Sequence, residues 1–232
     1  MKVYSKSWLG LKFKNFHKIS NKKLPGKKFY DDFYDKCFEN YKEIANFPKS
    51  WLLEKEIDSK NLNDVIEEYK CKKVLSLASG LGVIEHNLKI INPGLDIFCN
   101  DLSKNINWAF DNSLKVKHID LEDYLDFDFD IIYVNGLDYA LEDNEYLSFL
   151  KMVSELKSKI IMISCIVFPE DLSLKNKIGH FLKGLFGWQF WGILRSKKQH
   201  ISFFEQSNLK PFKHNISSSN NTNIFLLKKK ND

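Results

Sequence analysis

The spacing of apolar positions changes partway along the chain. Phe29, Phe33, Cys37 and Tyr41 recur at four-residue intervals with Asp and Glu between them, which predicts an amphipathic helix. Pro48 interrupts the pattern, and "NLNDVIEEYK" predicts a second helix with Asn61 or Asn63 as its cap. From Lys72 onward, short apolar β-branched runs alternate with helical patterns. The runs are Val74–Leu77, Ile97–Asn100, Val116–Ile119, Ile131–Asn135 and Ile160–Ile166. Runs of this kind read as strands buried on both faces. The helical patterns lie near 83–91, 103–111 and 144–157, and repeated βα units of this length predict a parallel, doubly wound sheet.

The C-terminal third follows a different plan. After Pro169 the helical run "DLSLKNKIGHFLKGLF" leads into the aromatic stretch "GWQFWGIL". A short helix is expected around Lys197–Ser207. Two further strands, joined by a polar turn at Ser217–Asn223, are expected to place an antiparallel strand at one edge of the sheet. The chain therefore divides into a basic arm and helical extension at 1–70 and an α/β domain at 71–232, with an aromatic insertion near 169–196.

Charge is unevenly distributed. Residues 1–28 hold nine lysines and no acid, whereas the remaining 204 residues sum to −4. Nucleic acid, anionic lipid or a phosphorylated substrate would each suit such an arm, and a solvated tail is the plain alternative. Arg195 is the only arginine in the chain. Groove-reading and bidentate phosphate contacts favour arginine, so nucleic acid is not the expected partner. Cys37, Cys71, Cys99 and Cys165 stand far apart without CxxC or Cys/His pairing. That spacing argues against structural zinc and disulfides, and it predicts a reducing, cytoplasmic setting with no obligatory metal. The sequence shows no run of about 18 apolar residues and no secretory signal core.

"KKVLSLASGLGVIEHNL", Lys72 to Leu88, carries the chemistry. A strand ends at Leu77, and Gly80 and Gly82 shape the turn into the next helix. Glycines there let a ligand approach the backbone, and the helix start directs free N–H groups towards it. A dinucleotide fingerprint wants Gly or Ala at position 85, where this chain has Glu85, so NAD and FAD are disfavoured. Asp101 ends the second strand, where an acid accepts hydrogen bonds from ribose hydroxyls; capping the following helix with Ser103 is its competing role. Asp120 ends the third, where an acid could face an adenine amino group. Two acids and a glycine turn without a phosphate cradle suit a cationic nucleoside that lacks phosphate.

Over roughly Lys72 to Ile166 these residues resemble the class I S-adenosylmethionine-dependent methyltransferases. That family's first motif is an acid followed by three glycines at alternate positions, which here fall on Ser76, Ala78, Gly80 and Gly82. The resemblance implies a Rossmann-like, seven-stranded, mostly parallel sheet with helices on both faces and an antiparallel C-terminal hairpin strand. It implies S-adenosylmethionine as cofactor and S-adenosylhomocysteine as product. Ala78, Ser79, Gly80 and Gly82 would line the methionine moiety, and Asp101 with Leu102 the ribose. Asp120 and Leu121 would bracket the adenine, and Asn135 and Gly136 would approach the methionine amine.

On the substrate side, Asp138 and His180 are the candidate bases, because a hydroxyl or protonated amine acceptor must lose a proton. His200 and His214 read as packing residues. Tyr139, Trp188, Trp191 and Arg195 are the candidate acceptor contacts. Arg195 in particular favours an anionic acceptor. The glycines of "GLFGWQFWGIL" read either as hinges of a mobile wall or as parts of a packed loop. The expected activity is methylation of a small-molecule oxygen or nitrogen, on a sugar, nucleotide-sugar or phosphorylated metabolite of surface-glycan metabolism. The alternatives are an RNA methyltransferase or RNA-binding protein using the lysine arm, and a non-catalytic member that binds the cofactor or a partner without turnover; peripheral membrane contact stays open.

Overall fold

The computed structural model describes residues 1–103, 117–118, 127–167, 174–217 and 222–230. Strands β1 (Lys2–Ser5), β2 (Ser7–Trp8) and β3 (Leu11–Lys12) precede helices α1 (Lys27–Asn40) and α2 (Lys49–Glu68). The βα series follows as β4 (Lys73–Leu77), α3 (Val83–Ile91), β5 (Asp96–Asn100), β6 (Lys117–His118), β7 (Phe129–Asn135), α4 (Asp143–Glu155) and β8 (Ser158–Ile166). The chain ends through α5 (Leu174–Leu185), β9 (Gln189–Ile193), α6 (Lys197–Gln206), β10 (Leu209–Ile216) and β11 (Thr222–Lys229).

Successive side chains of a strand point to opposite faces, so apolar runs can be buried on both sides. Val74, Ile131 and Tyr133 pack towards α2 and α3, against Leu62, Ile66 and Leu88. Leu75, Ile132 and Val134 pack the other way, against Tyr146 and Leu150 of α4 and Phe204 of α6. The main sheet runs in the order β10-β11-β8-β7-β4-β5-β6, parallel from β8 to β6. Six of its strands have five residues or more. The strand expected at Val116–Ile119 amounts, among the described residues, to Lys117–His118.

The hairpin is arranged differently from expectation. β11 is antiparallel to both β8 and β10 and lies between them, so the antiparallel strand is not at the edge. Ile224 to Leu227 are apolar on both faces and demand cover. β10, with Lys210, Pro211 and Lys213, takes the outer position, where a missing N–H and charged side chains are tolerated.

Two further expectations change. Asn61 and Asn63 are not caps, because α2 starts directly after Pro48. Asn63 instead donates to Glu67 one turn on (2.9 Å), and Asn61 to Ser217 (2.9 Å). Nor are residues 1–28 a solvated tail. β1 pairs antiparallel with β9, and Phe13 is buried against Phe29 and Trp191. Apolar rings alternate with lysines in this stretch, and their partners lie on α1 and on β9, far away in sequence.

The aromatic segment is therefore a strand rather than a mobile wall. A Cβ on Gly192 would stand 2.6 Å from the Tyr139 ring and 3.1 Å from its carbonyl oxygen. This glycine serves close packing, not hinging. Gly192→Ala is expected to destabilise the protein by about 1–3 kcal/mol, the usual cost of overpacking. Comparing thermal melts of the two proteins measures it.

Candidate functional site

β5 flanks β4 on one side and β7 flanks it on the other, so the chain crossovers diverge at the carboxyl ends of β4 and β7. Open parallel sheets leave their ligand crevice at such a point. The turn after β4 enters it. Ala78, Gly80 and Gly82 have φ of +56°, +58° and +71°, a left-handed geometry that glycine adopts freely. For Ala78 that geometry costs roughly 1–2 kcal/mol, held in place by the surrounding fold. The Gly80 N–H donates to Asp101 Oδ2 at 2.8 Å, and the Ser103 N–H donates to Oδ1 at 2.9 Å. The carboxylate ending β5 thus clamps the turn and also caps Ser103. A carboxylate offers about four lone-pair sites, so these two bonds do not exhaust its capacity to accept. Burial raises its pKa, and the backbone bonds oppose that rise.

A second carboxylate lies beneath the turn. Ser76 points towards α3 and its hydroxyl donates to Glu85 Oε1, while the buried Oε2 has no hydrogen-bond partner among the described residues. Burial lifts the Glu85 carboxyl from 4.5 to about 7, against the lowering effect of the Ser76 bond. Two departures noted in the sequence, a serine in place of an acid and an acid in place of Gly or Ala, therefore form one unit. The acidic side chain absent from the strand is matched in space by one from the helix. From α2, Asp58 Oδ2 accepts from Asn135 Nδ2 at 3.0 Å and pairs with Lys55 at 3.1 Å.

α1 covers the turn. The Tyr34 hydroxyl lies 3.3 Å from where a Gly80 Cβ would be, and Tyr30 stands beside Tyr34. These elements enclose a cavity of about 370 Å³. Among the described residues its walls carry four carboxylates, Glu54, Asp58, Glu85 and Asp101, against one lysine, Lys55. The indoles of Trp8 and Trp51 and the phenols of Tyr30, Tyr34 and Tyr139 supply its aromatic surface. Burial raises the pKa of all three phenols, Tyr139 to about 12, so near neutral pH they are hydrogen-bond donors.

The positions expected around a cofactor meet here. Ala78, Ser79, Gly80 and Gly82 line the cavity from the β4 turn, Asp101 and Leu102 from β5, and Asn135 and Gly136 from β7, with Tyr139 beside them. Asp120 and Leu121 lie outside the described residues.

Asp138, His180, Trp188, Trp191 and Arg195 do not line the cavity, whereas His200 and His214 pack against Phe225 as expected. Asp138 is fully buried behind the cavity, with its Oδ2 3.6 Å from His200 Nε2 and close to Cys165. Burial drives the Asp138 carboxyl up to about 7 and the His200 imidazole down to about 3. The imidazole is therefore neutral near neutral pH, and the carboxyl holds a proton more tightly than a free one does. Asp138, Cys165 and His200 offer ligand atoms within 4.8 Å of one another, a grouping that sequence spacing did not show. The Arg195 cation beside Asp138 opposes a metal there. Arg195, only 1% exposed, donates to the carbonyls of Asp138 and Leu141 and to Asp143 Oδ1. It is an internal clamp and cannot hold an anionic acceptor. His180 sits on α5 outside the cavity wall, and His214 bonds Asn223 at 2.7 Å. Trp191 stacks on Phe13 at 4.8 Å, and Trp188 lies under Lys6; neither lines the cavity.

Sequence reasoning missed Asp58, Trp8, Trp51 and the two α1 tyrosines. Pro48 gave a signal for the true start of α2, since proline commonly marks a helix N-terminus, and that start would have put Asp58 on the helix. Nothing local marks the others.

No protein-family model matches the sequence, and no curated protein does either. Solved structures do match. Mitomycin 7-O-methyltransferase MmcR superposes with a TM-score of 0.59 at 12% identity, over 77% of this chain and 53% of that one. A Nostoc punctiforme protein assigned as an O-methyltransferase gives 0.62 at 12% identity, over 87% and 60%. CalO1, a methyltransferase of calicheamicin biosynthesis solved with S-adenosylhomocysteine bound, gives 0.52 at 14%, over 68% and 48%. This chain thus spans about half the length of the solved chains it matches. At such identities the likeness establishes architecture. The chain has the class I methyltransferase fold.

Proposed function

We propose that this protein transfers a methyl group from S-adenosylmethionine to an oxygen or nitrogen of a small molecule, releasing S-adenosylhomocysteine. The observation that carries the reading is the acid-walled cavity at the sheet crossover, closed by the left-handed turn at Ala78–Gly82. S-adenosylmethionine is a nucleoside with a sulfonium, an ammonium and no phosphate. Among the described residues, four carboxylates against one lysine fit a cation and would repel a dinucleotide. When bound, the cofactor supplies an electrophilic methyl group.

The chain's own residues bind, orient and exclude water. Asp101 would accept from ribose hydroxyls, and the turn and Gly136 would leave room along the methionine end. Glu85 and the Asp58–Asn135 pair would supply negative charge and hydrogen bonds there. Tyr30 and Tyr34 would cover the site from α1. Alignment of the reacting atoms is the main requirement of such a displacement.

For the acceptor, the cavity supports a neutral, hydroxyl-bearing molecule such as a sugar. The faces of Trp8 and Trp51 suit its C–H surface, and the carboxylates suit its hydroxyls. A phosphorylated or nucleotide-linked acceptor loses its support once Arg195 is internal. The same acidic walls disfavour RNA.

Calorimetric titration with S-adenosylmethionine, S-adenosylhomocysteine and NAD tests the cofactor. Binding of the first two and not the third is expected. In Asp101→Asn that binding weakens about tenfold or more, the worth of a hydrogen bond to a charged group. No heat with either sulfur compound would dispose of the reading. Transfer of labelled methyl to free glycosides in preference to their phosphates would support the acceptor class, and the reverse preference would remove it.

A further inference from the structure

α5 turns its apolar stripe away from the protein. Ile178, Leu182, Leu185 and, one residue past the helix, Phe186 are 50%, 42%, 66% and 77% exposed. At helical spacing they fall within about 100° of one another. The opposite face is the packed one: Gly184 is buried, and a Cβ there would stand 2.8 Å from the Tyr4 ring of β1. A surface helix ordinarily turns such a stripe inward, and an apolar patch facing water marks a contact surface.

Charge identifies the occupant. No Asp or Glu occurs from residue 1 to 28 or from 172 to 204, and these two stretches meet through the β1–β9 pairing and the α5–β1 contact. Half-buried Trp188 has Lys6 Nζ 4.5 Å and Lys183 Nζ 5.3 Å from its ring. A second copy of this chain would bring the same lysines against these ones, a like-charge contact. An interfacial layer that is apolar below and anionic above complements both properties together.

We infer that the outward face of α5, with Trp188 and the lysines around it, docks the protein on an anionic lipid bilayer. Among the described residues no helix is long and apolar enough to cross a membrane, so the contact is peripheral. Phe186 and Leu185 enter the headgroup–acyl boundary, and Lys6 and Lys183 remain at the headgroups. The inference does not depend on the reaction at the cavity.

Co-sedimentation of the full chain with vesicles tests it. The protein is expected to pellet with equimolar phosphatidylcholine and phosphatidylglycerol, to stay in solution with phosphatidylcholine alone, and to be released by salt. In Leu185→Ser/Phe186→Ser, where both side chains are exposed and a thermal melt checks the fold, partition is expected to fall at least tenfold. Lys6→Gln/Lys183→Gln is expected to lower it by roughly tenfold or more, each lysine near the surface contributing about fivefold. The inference is overturned if anionic vesicles fail to pellet the protein, or if the serine variant pellets equally. A dimer in light scattering that becomes monomeric in the serine variant would also overturn it, by assigning the face to self-association.

Discussion

Arg195→Met is expected to lower the stability of the protein by about 2–6 kcal/mol, the cost of leaving two buried carbonyls without their donor. Its guanidinium is held by the Asp138 and Leu141 carbonyls and by Asp143, and it lies 4.9 Å over the Tyr146 ring and 5.5 Å over the Phe203 ring. Methionine can fill the space, but it leaves both carbonyls without a donor inside the protein, at about 1–3 kcal/mol each. The Asp143 side chain is 64% exposed and can return to water, so its loss adds little. A fall in melting temperature of roughly 10 °C is expected for a chain of this size. Arg195→Lys restores only part of it, because an ammonium cannot reproduce the forked contact. If Arg195→Met melts like the parent and only acceptor binding suffers, the guanidinium is free for a ligand and the internal-clamp reading fails.

The second large effect is a pH dependence centred on Glu85. Its carboxyl ionises near 4.5 when unfolded and near 7 when buried, so the folded state holds the proton more tightly. Its contribution to stability is complete below pH 4.5 and declines as pH rises through 7. The full loss is about 3 kcal/mol by linkage between the two pKa values. Glu85→Gln keeps the shape and cannot ionise. The variant is therefore expected to match the parent near pH 4 and to exceed it by up to about 3 kcal/mol at pH 8. The Asp138–His200 pair titrates in both proteins and cancels in the difference. Urea midpoints at the two pH values measure this. Parallel profiles would mean that the Glu85 carboxyl is solvated rather than enclosed beneath the turn. A buried carboxylate that weakens the empty fold is what a cation-binding cavity would keep, because the bound charge stabilises the ionised form.

The fold was legible where burial leaves a local trace. Val74–Leu77, Ile131–Asn135 and Ile160–Ile166 are apolar on both faces, and no exposed strand of a soluble protein needs that. Gly80 and Gly82 were legible because a left-handed turn limits the choice of residue, and Asp101 because its distance from the turn matches one βα unit. The hairpin was half legible: two strands were found, but their order follows from cover. Ile224–Leu227 require neighbours on both faces, and Pro211 with the β10 lysines does not. The start of α2 was misread because Asn61 and Asn63 imitate caps, and tertiary burial of Leu62 and Ile66 outweighs that local preference.

By itself the sequence determined the βα order, the position of the tight turn, and an acid at the end of the second strand. Each is a short-range property of periodicity or of backbone dihedrals. Which charged groups face the cavity was decided only by tertiary structure. In the sequence Arg195 looks like an acceptor contact and Asp138 like a base, yet both lie inside the protein, whereas Glu85 looks like a defect and bonds the serine that stands where the motif has an acid. Asp58 and the α1 tyrosines reach the site from elements that no motif connects to it. Exposure and desolvation depend on what distant segments bring to a side chain, so a group's charge state and partners become fixed only when the sheet, α1 and β9 close around it.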